Sequence, residues 1–291
     1  MAQPAWTPTT QTTVSRQRHW LRVLWAGLGL FVLTTIVMFV TGNPNLYPTV
    51  ILIGNFLIPV VFVTFLYDHQ HLSTLTLPTI AQSFLIGGLL GTLGAAVLEP
   101  LLIPAVVPGD NLPIPSALMV GLIEEGCKLA AVIFLARRGR HTLEMDGLLL
   151  GATVGMGFAA LESTGYAFSA FVLSQGHVGA SIASTLARGL LAPFGHGVWS
   201  AIVGAVLFRE SKPADFRLDR AVIVTYLFVS LLHGLWDGLP RTIYLIVPPG
   251  FSVSVVSLTI SVVGLAGLGI LWRQALHQQE QLPSPAQPQE T

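Results

Sequence analysis

Long apolar runs, each close to the length of a membrane-crossing helix, alternate with short polar segments along the whole chain. A run of about 20 apolar residues spans the hydrocarbon core as a helix. Eight such runs are read at residues 20–40, 47–67, 79–99, 114–136, 147–173, 181–208, 221–240 and 250–272. They predict an all-α fold, a polytopic membrane helical bundle of eight transmembrane helices within residues 16–273. The tails 1–15 and 274–291 are polar, rich in Gln, Pro and Thr, and are expected to be disordered and cytoplasmic. The first run has a basic lead-in (Arg16, Arg18, Arg22) and no small-x-small cleavage signal before Thr41-Gly42-Asn43-Pro44, which reads as a retained anchor.

Within the runs, Gly147, Gly151, Gly155 and Ala159 recur every four residues, as do Gly87, Gly91 and Ala95. Small residues at that spacing let helix backbones approach closely in lipid. The segment 100–115 carries Pro100, Pro104, Pro108, Pro113 and Pro115 and is expected to be extended or interfacial.

Composition agrees with the pattern. Hydrophobic residues make up 52% of the 291 and charged residues 10%, where a soluble domain carries about 25% charged. Too few charges remain to cover a water-facing surface. The formal net charge is zero, which gives no reason to expect nucleic acid as a partner. One cysteine, Cys127, excludes an internal disulfide framework. Charge distribution sets orientation: with both termini inside, eleven of the fourteen Lys and Arg fall in cytoplasmic segments, only Arg241 lies outside, and Lys128 and Arg188 lie within spans.

Six chargeable side chains interrupt the span interiors: Glu124, Glu125, Lys128, Glu162, Arg188 and Asp237, joined by His196 and His233. Each charge at a span's centre costs about 2.5–3.5 kcal/mol even on the lenient insertion scale. They must face one another or a wet cavity. At about 1.5 Å per residue, Glu124 and Glu125 lie roughly 15 Å below the outer end of their span, Glu162 roughly 17 Å, His196 about 22 Å and His233 about 10–12 Å. Four consecutive helices therefore bring acids and imidazoles to similar depth, with a catalytic core at about residues 114–240.

Local spacing adds chemistry. Lys128 falls angularly between Glu124 and Glu125, all within about 100° of arc, so one helix face offers two carboxylates and a cation. His233 and Asp237 form an i,i+4 pair in which the acid can orient the imidazole. Pro193, between Arg188 and His196, should kink its helix. Singly, each residue has a plainer reading: an intramembrane histidine as an interhelical hydrogen bonder, Glu125–Lys128 as a structural pair, Trp199 and Trp236 as packing, Cys127 as a small core residue. Convergence at one depth is what favours a reaction centre.

Fully ionised, the four acids outweigh the two cations. Either carboxyls carry protons or a divalent cation such as zinc sits among them. Zinc takes His and carboxylate ligands and keeps an open water position when catalytic. Glu162, His196 and His233 are then the candidate metal ligands, with Glu124 or Glu125 as general base.

The set Glu124-Glu125-x-x-Lys128, Phe158-Ala159-Ala160-Leu161-Glu162, His196 and His233-x-x-x-Asp237 resembles the PrsW family of intramembrane proteases, related to the CAAX prenyl endopeptidases. The likeness covers about residues 114–240. It implies hydrolysis of a peptide bond in a membrane-anchored protein such as an anti-sigma factor, near the outer membrane face. By motif, Glu124 and Glu125 include the water-activating base, Lys128 tunes it, and Glu162, His196 and His233 bind metal or stabilise the oxyanion. The related endopeptidases often carry Asn where this chain has Asp237, which points to an acidic supporting role there, with Arg188 as a second supporting residue.

Two other classes fit parts of the pattern. Midplane acids and histidines also build proton-coupled transporters, and His196-Gly197-Val198-Trp199 echoes His233-Gly234-Leu235-Trp236 as an inverted repeat would. A catalytically inactive immunity or scaffold protein is the third. Short loops and a Leu-, Ala- and Gly-rich chain suggest a prokaryotic inner-membrane location.

Overall fold

In a computed structural model the described residues are 18–68, 73–104, 112–137, 143–212, 215–239, 243–247 and 251–280. They form ten α-helices and one short hairpin: α1 (His19–Thr41), α2 (Tyr47–Asp68), α3 (Leu77–Gln82), α4 (Gly88–Leu102), α5 (Ile114–Ala136), α6 (Glu144–Leu173), α7 (Val178–Leu191), α8 (His196–Glu210), α9 (Arg220–Gly238), β1 (Tyr244–Val247), β2 (Phe251–Ser254) and α10 (Val255–Glu280). A π-turn over Ser83–Gly87 joins α3 to α4 in one rod. Six helical segments, at His19–Thr41, Pro44–Asp68, Leu77–Leu102, Glu144–Leu173, Arg220–Gly238 and Val255–Gln278, are long and apolar enough to cross a membrane. The fold is a polytopic helical membrane bundle, as the apolar runs predict. Apolar side chains such as Val40, Leu101 and Val262 remain exposed for lipid.

The centre is α6, buried from Glu144 to Ala160. It packs most extensively on α8, and α5 does so on α9. Both contacts run through glycine. A Cβ at Gly147, Gly151 or Gly155 would collide with the backbone carbonyl of Gly204, Ser200 or His196. On the other seam, a Cβ at Gly234 would come 2.7 Å from the Leu118 Cα, and one at Gly238 would come 2.7 Å from the Ala117 Cβ. The four-residue stripe read from the sequence is thus a seam of backbone contact. The second stripe, on α3–α4, receives side chains instead: Gly87 faces those of Val154 and Leu135, and Gly91 faces that of Phe158.

Four boundaries differ from the sequence reading. The run 181–208 is two helices, because α7 ends at Leu191, a 3-10 turn spans Ala192–Phe194, and α8 starts afresh at His196. Pro193 lacks the N–H that would continue the ladder, and Gly195 turns the chain at φ −106, ψ −102. Pro100 lies inside α4 and Pro115 in the first turn of α5, so both ends of the 100–115 segment are helical, and residues 105–111 lie outside the described residues. Residues 251–254, placed in the last span, instead pair antiparallel with β1. Finally, α10 continues past residue 273 to Glu280, so the start of the presumed tail is helical. Arg209 donates to the Gln274 side chain (3.2 Å), and the Glu144 N–H donates to Gln278 (2.8 Å), which ties that extension to α8 and α6. The amino-terminal tail, residues 281–291, Pro108, Arg138, Arg140 and Arg241 lie outside the described residues.

Candidate active site

The middle of α5 supplies three of the predicted residues. Lys128 is buried, and its ammonium donates to Glu125 Oε1 (2.8 Å) and Glu124 Oε2 (3.2 Å). It also lies 4.0 Å from the centre of the Phe158 ring. Its third contact crosses to α8, where His196 Nδ1 is 2.8 Å away. An ammonium has only donors, so Nδ1 accepts and Nε2 carries the ring proton. That Nε2 lies 3.0 Å from Glu162 Oε2 on α6.

His233 enters from α9. Its Nδ1 lies 2.9 Å from Glu125 Oε1. A carboxylate there makes Nδ1–H the donor and turns the Nε2 lone pair inward, the arrangement by which an acid orients a ligating imidazole. Nε2 is 3.6 Å from Glu124 Oε2 and 3.4 Å from Asp237 Oδ2. Arg188 on α7 donates to Glu162 Oε2 (2.5 Å) and Ser163 Oγ (3.2 Å), with its guanidinium 3.9 Å over the Tyr166 ring.

All eight predicted residues therefore converge. Their grouping, however, differs from the ligand set read from the sequence. Glu124, rather than Glu162, joins the two histidines: one ligand atom each from Glu124, His196 and His233 lie within 4.8 Å of one another, and these three can hold a metal ion. Glu162 is instead engaged by Arg188 and His196. The donor chemistry suits a metal, with two imidazoles, one carboxylate and a second carboxylate fixing the tautomer of His233. Lys128 holds the Nδ1 of His196, so ammonium and metal ion compete for that atom.

Beside the group lies a cavity of about 120 Å³, lined by Glu162, Arg188, Trp199, Trp236 and Asp237 among others. The echo of His-Gly-x-Trp has a local cause here. Trp199 stacks 4.8 Å from His233 and 5.9 Å from Trp236, and His196 lies 5.1 Å from His233. The two motifs interlock across α8 and α9 as facing walls of one site.

Sequence reading missed one member. Glu99, on α4, keeps its Oε1 closed off from solvent without a hydrogen-bond partner among the described residues. A glutamate at the last position of the predicted span 79–99, followed by proline, reads as the end of the run. Here α4 continues through Pro100, and Glu99, one helical turn beyond the buried Ala95, is half-buried.

The family model described as "PrsW family intramembrane metalloprotease" matches residues 76–265, which include every residue of the cluster. Three curated proteins called protease PrsW are similar to the chain. The one from Halalkalibacterium halodurans is 26% identical over 60% of this chain and 76% of its own length. Those from Shouchella clausii and Bacillus subtilis are 25% and 28% identical, over 50% and 46% of this chain and 65% and 59% of theirs. No solved structure matches the chain.

Proposed function

The chain belongs to the PrsW family of intramembrane metalloproteases, and from that premise we propose that it cuts a membrane-anchored protein, such as an anti-sigma factor, at the Glu124–His196–His233 cluster. The observation that carries this reading is the meeting of these three side chains, from three helices, within 4.8 Å inside a membrane bundle. Peptide hydrolysis needs a group to take the proton of water and positive charge to receive the oxyanion. Both are present in one buried spot.

Glu124, His196 and His233 are the residues that would hold the metal, for which zinc is the best match to the donors. Bound there, zinc supplies Lewis-acid polarisation and lowers the pKa of water. The chain's own groups do the rest. One oxygen of Glu124 faces the imidazoles, and the other takes the proton of the attacking water. Glu125 is a positioning residue, since its Oε1 is already engaged by Lys128 and His233. Lys128 offsets the charge of both carboxylates. Glu162 accepts from His196 Nε2 and fixes that ring, while Arg188 holds Glu162 in place. Asp237 lines the cavity beside His233, where the substrate backbone would enter.

The test is cleavage of a single-span anti-sigma-factor reporter in proteoliposomes. Wild type is expected to cut it; Glu124→Gln is expected to abolish cutting while the protein still folds and inserts. Full activity in a folded Glu124→Gln variant overturns the assignment.

A further inference from the structure

The cluster is not sealed equally on all sides. Side-chain exposure is 1% at Lys128, 10% at His196 and 16% at Glu162, and it reaches 28% at Arg188 and 30% at Asp237. It thus rises from the α5 side of the cluster toward α7 and the outer end of α9. Charge within a span avoids lipid and faces a partner or water. Arg188, about 15 Å along α7 from Val178, is a charge of that kind.

Packing explains the gradient. The seams α6–α8 and α5–α9 are closed by glycine against backbone. Helix α4 covers α5 and α6, and α10 lies against α8 and α9. Helix α7 packs on α6 and α2 but shares no packed seam with α9 among the described residues. The cavity occupies the place of that seam: Ala187, Arg188 and Leu191 line it from α7, and His233, Trp236 and Asp237 line it from α9. Ala187 is also exposed, beside the exposed Leu186, so the cavity meets the lipid-facing surface at α7.

The mouth has directional chemistry as well. Arg188 uses Nε on Ser163 and Nη2 on Glu162, leaving Nη1 for a further acceptor. Asp237 offers carboxylate oxygen from the facing wall. A donor on one wall and an acceptor on the other complement the C=O and N–H of a peptide group.

We propose that the membrane-spanning segment of the substrate protein docks sideways between α7 and α9 and passes its backbone over Arg188 and Asp237 to reach Glu124. The inference rests on the protease reading above and adds the face of the bundle that the substrate uses.

The experiment places a photo-crosslinking amino acid at Ala187, Trp236, Leu93 or Val262 in the Glu124→Gln variant, which leaves the reporter uncut. Leu93 on α4 and Val262 on α10 are lipid-exposed on other faces. A docked segment is held at high effective concentration, so adducts from Ala187 and Trp236 should exceed those from Leu93 and Val262 by about 10-fold or more. Equal yields at all four positions, or adducts only from Leu93 or Val262, overturn the inference and leave the protease reading standing. So does the absence of any adduct with a reporter that wild type cuts. A second measurement needs no substrate. In a Cys127→Ala background, Ala187→Cys should react with a charged, membrane-impermeant maleimide about 10-fold or more faster than Leu93→Cys, because each unit by which apolar surroundings raise a thiol's pKa cuts its thiolate about tenfold. Equal rates overturn an opening at this place. A reporter uncut by wild type strikes the protease reading instead, while the labelling still decides whether the opening exists.

Discussion

Replacing Gly155 by alanine adds one methyl group at the point where α6 touches the first residue of α8. The new Cβ would overlap the His196 carbonyl and sit 2.8 Å from Ser200 Oγ, where ordinary contact begins at 3.4 Å. Neither partner on the carbonyl side is a flexible side-chain tip, so α8 must back away by about 1 Å. Overpacking of this kind costs about 1–3 kcal/mol, and alanine recovers up to about 1 kcal/mol of helix propensity. Gly165→Ala is the control: it lies on the same helix with nothing within 4 Å of its Cβ. Propensity cancels between the two variants, so Gly155→Ala should be about 1–3 kcal/mol less stable than Gly165→Ala. Because His196 moves with α8, a shift of about 1 Å should also lower cleavage about 100-fold. Reversible unfolding in mixed detergent micelles reads the first effect and reporter cleavage the second. Gly155→Ala matching Gly165→Ala in both would refute the idea that this seam sets the position of His196.

Lys128→Met should destabilise the fold by about 3–5 kcal/mol, since it removes the cation from a buried group and leaves two carboxylates facing each other; denaturant titration checks it, and a loss under 1 kcal/mol would contradict the buried ion-pair geometry. Purified protein should carry about one metal ion per chain, and chelation should lower the unfolding midpoint by an amount that depends on metal concentration, worth about 4 kcal/mol at a thousandfold excess over Kd. His196→Ala/His233→Ala should contain no metal, and chelator should leave its midpoint unmoved.

Much of the site is legible in the sequence because lipid makes charge conspicuous. Glu124, Glu125, Lys128, Glu162 and Asp237 stand out as costly interruptions of apolar runs, and residue rise along a helix gives their common depth. Depth does not give azimuth. Which carboxylate completes the pair of histidines depends on how α5, α6 and α9 are rotated about their axes, and those rotations are fixed by contacts such as Gly121 against Ser230, far apart in the chain. That is why Glu162 reads as a ligand, whereas the side chain that lies together with the two histidines is Glu124. Glu99 escaped for a different reason: Pro100 looks like a terminator, but an apolar rod packed on α5 carries it within a helix. Pro193 shows the opposite case, a predicted kink that becomes a full break because Gly195 follows it. The hairpin β1–β2 merges with the apolar run that follows it, although Phe251-Ser252-Val253-Ser254 alternates apolar and polar as a strand does.

The two glycine seams divide the reaction centre. Glu124, Glu125, Lys128, His233 and Asp237 belong to the clasped pair α5–α9, and Glu162 and His196 to the clasped pair α6–α8. In each pair the backbones meet closely at glycine. Across the division, Lys128 contacts His196 and Glu124 lies 4.0 Å from the same imidazole. The centre therefore draws its residues from both pairs. A ligand held by Glu124, His196 and His233 together would favour the arrangement that joins the pairs, and by reciprocity that arrangement would raise its affinity by the same factor.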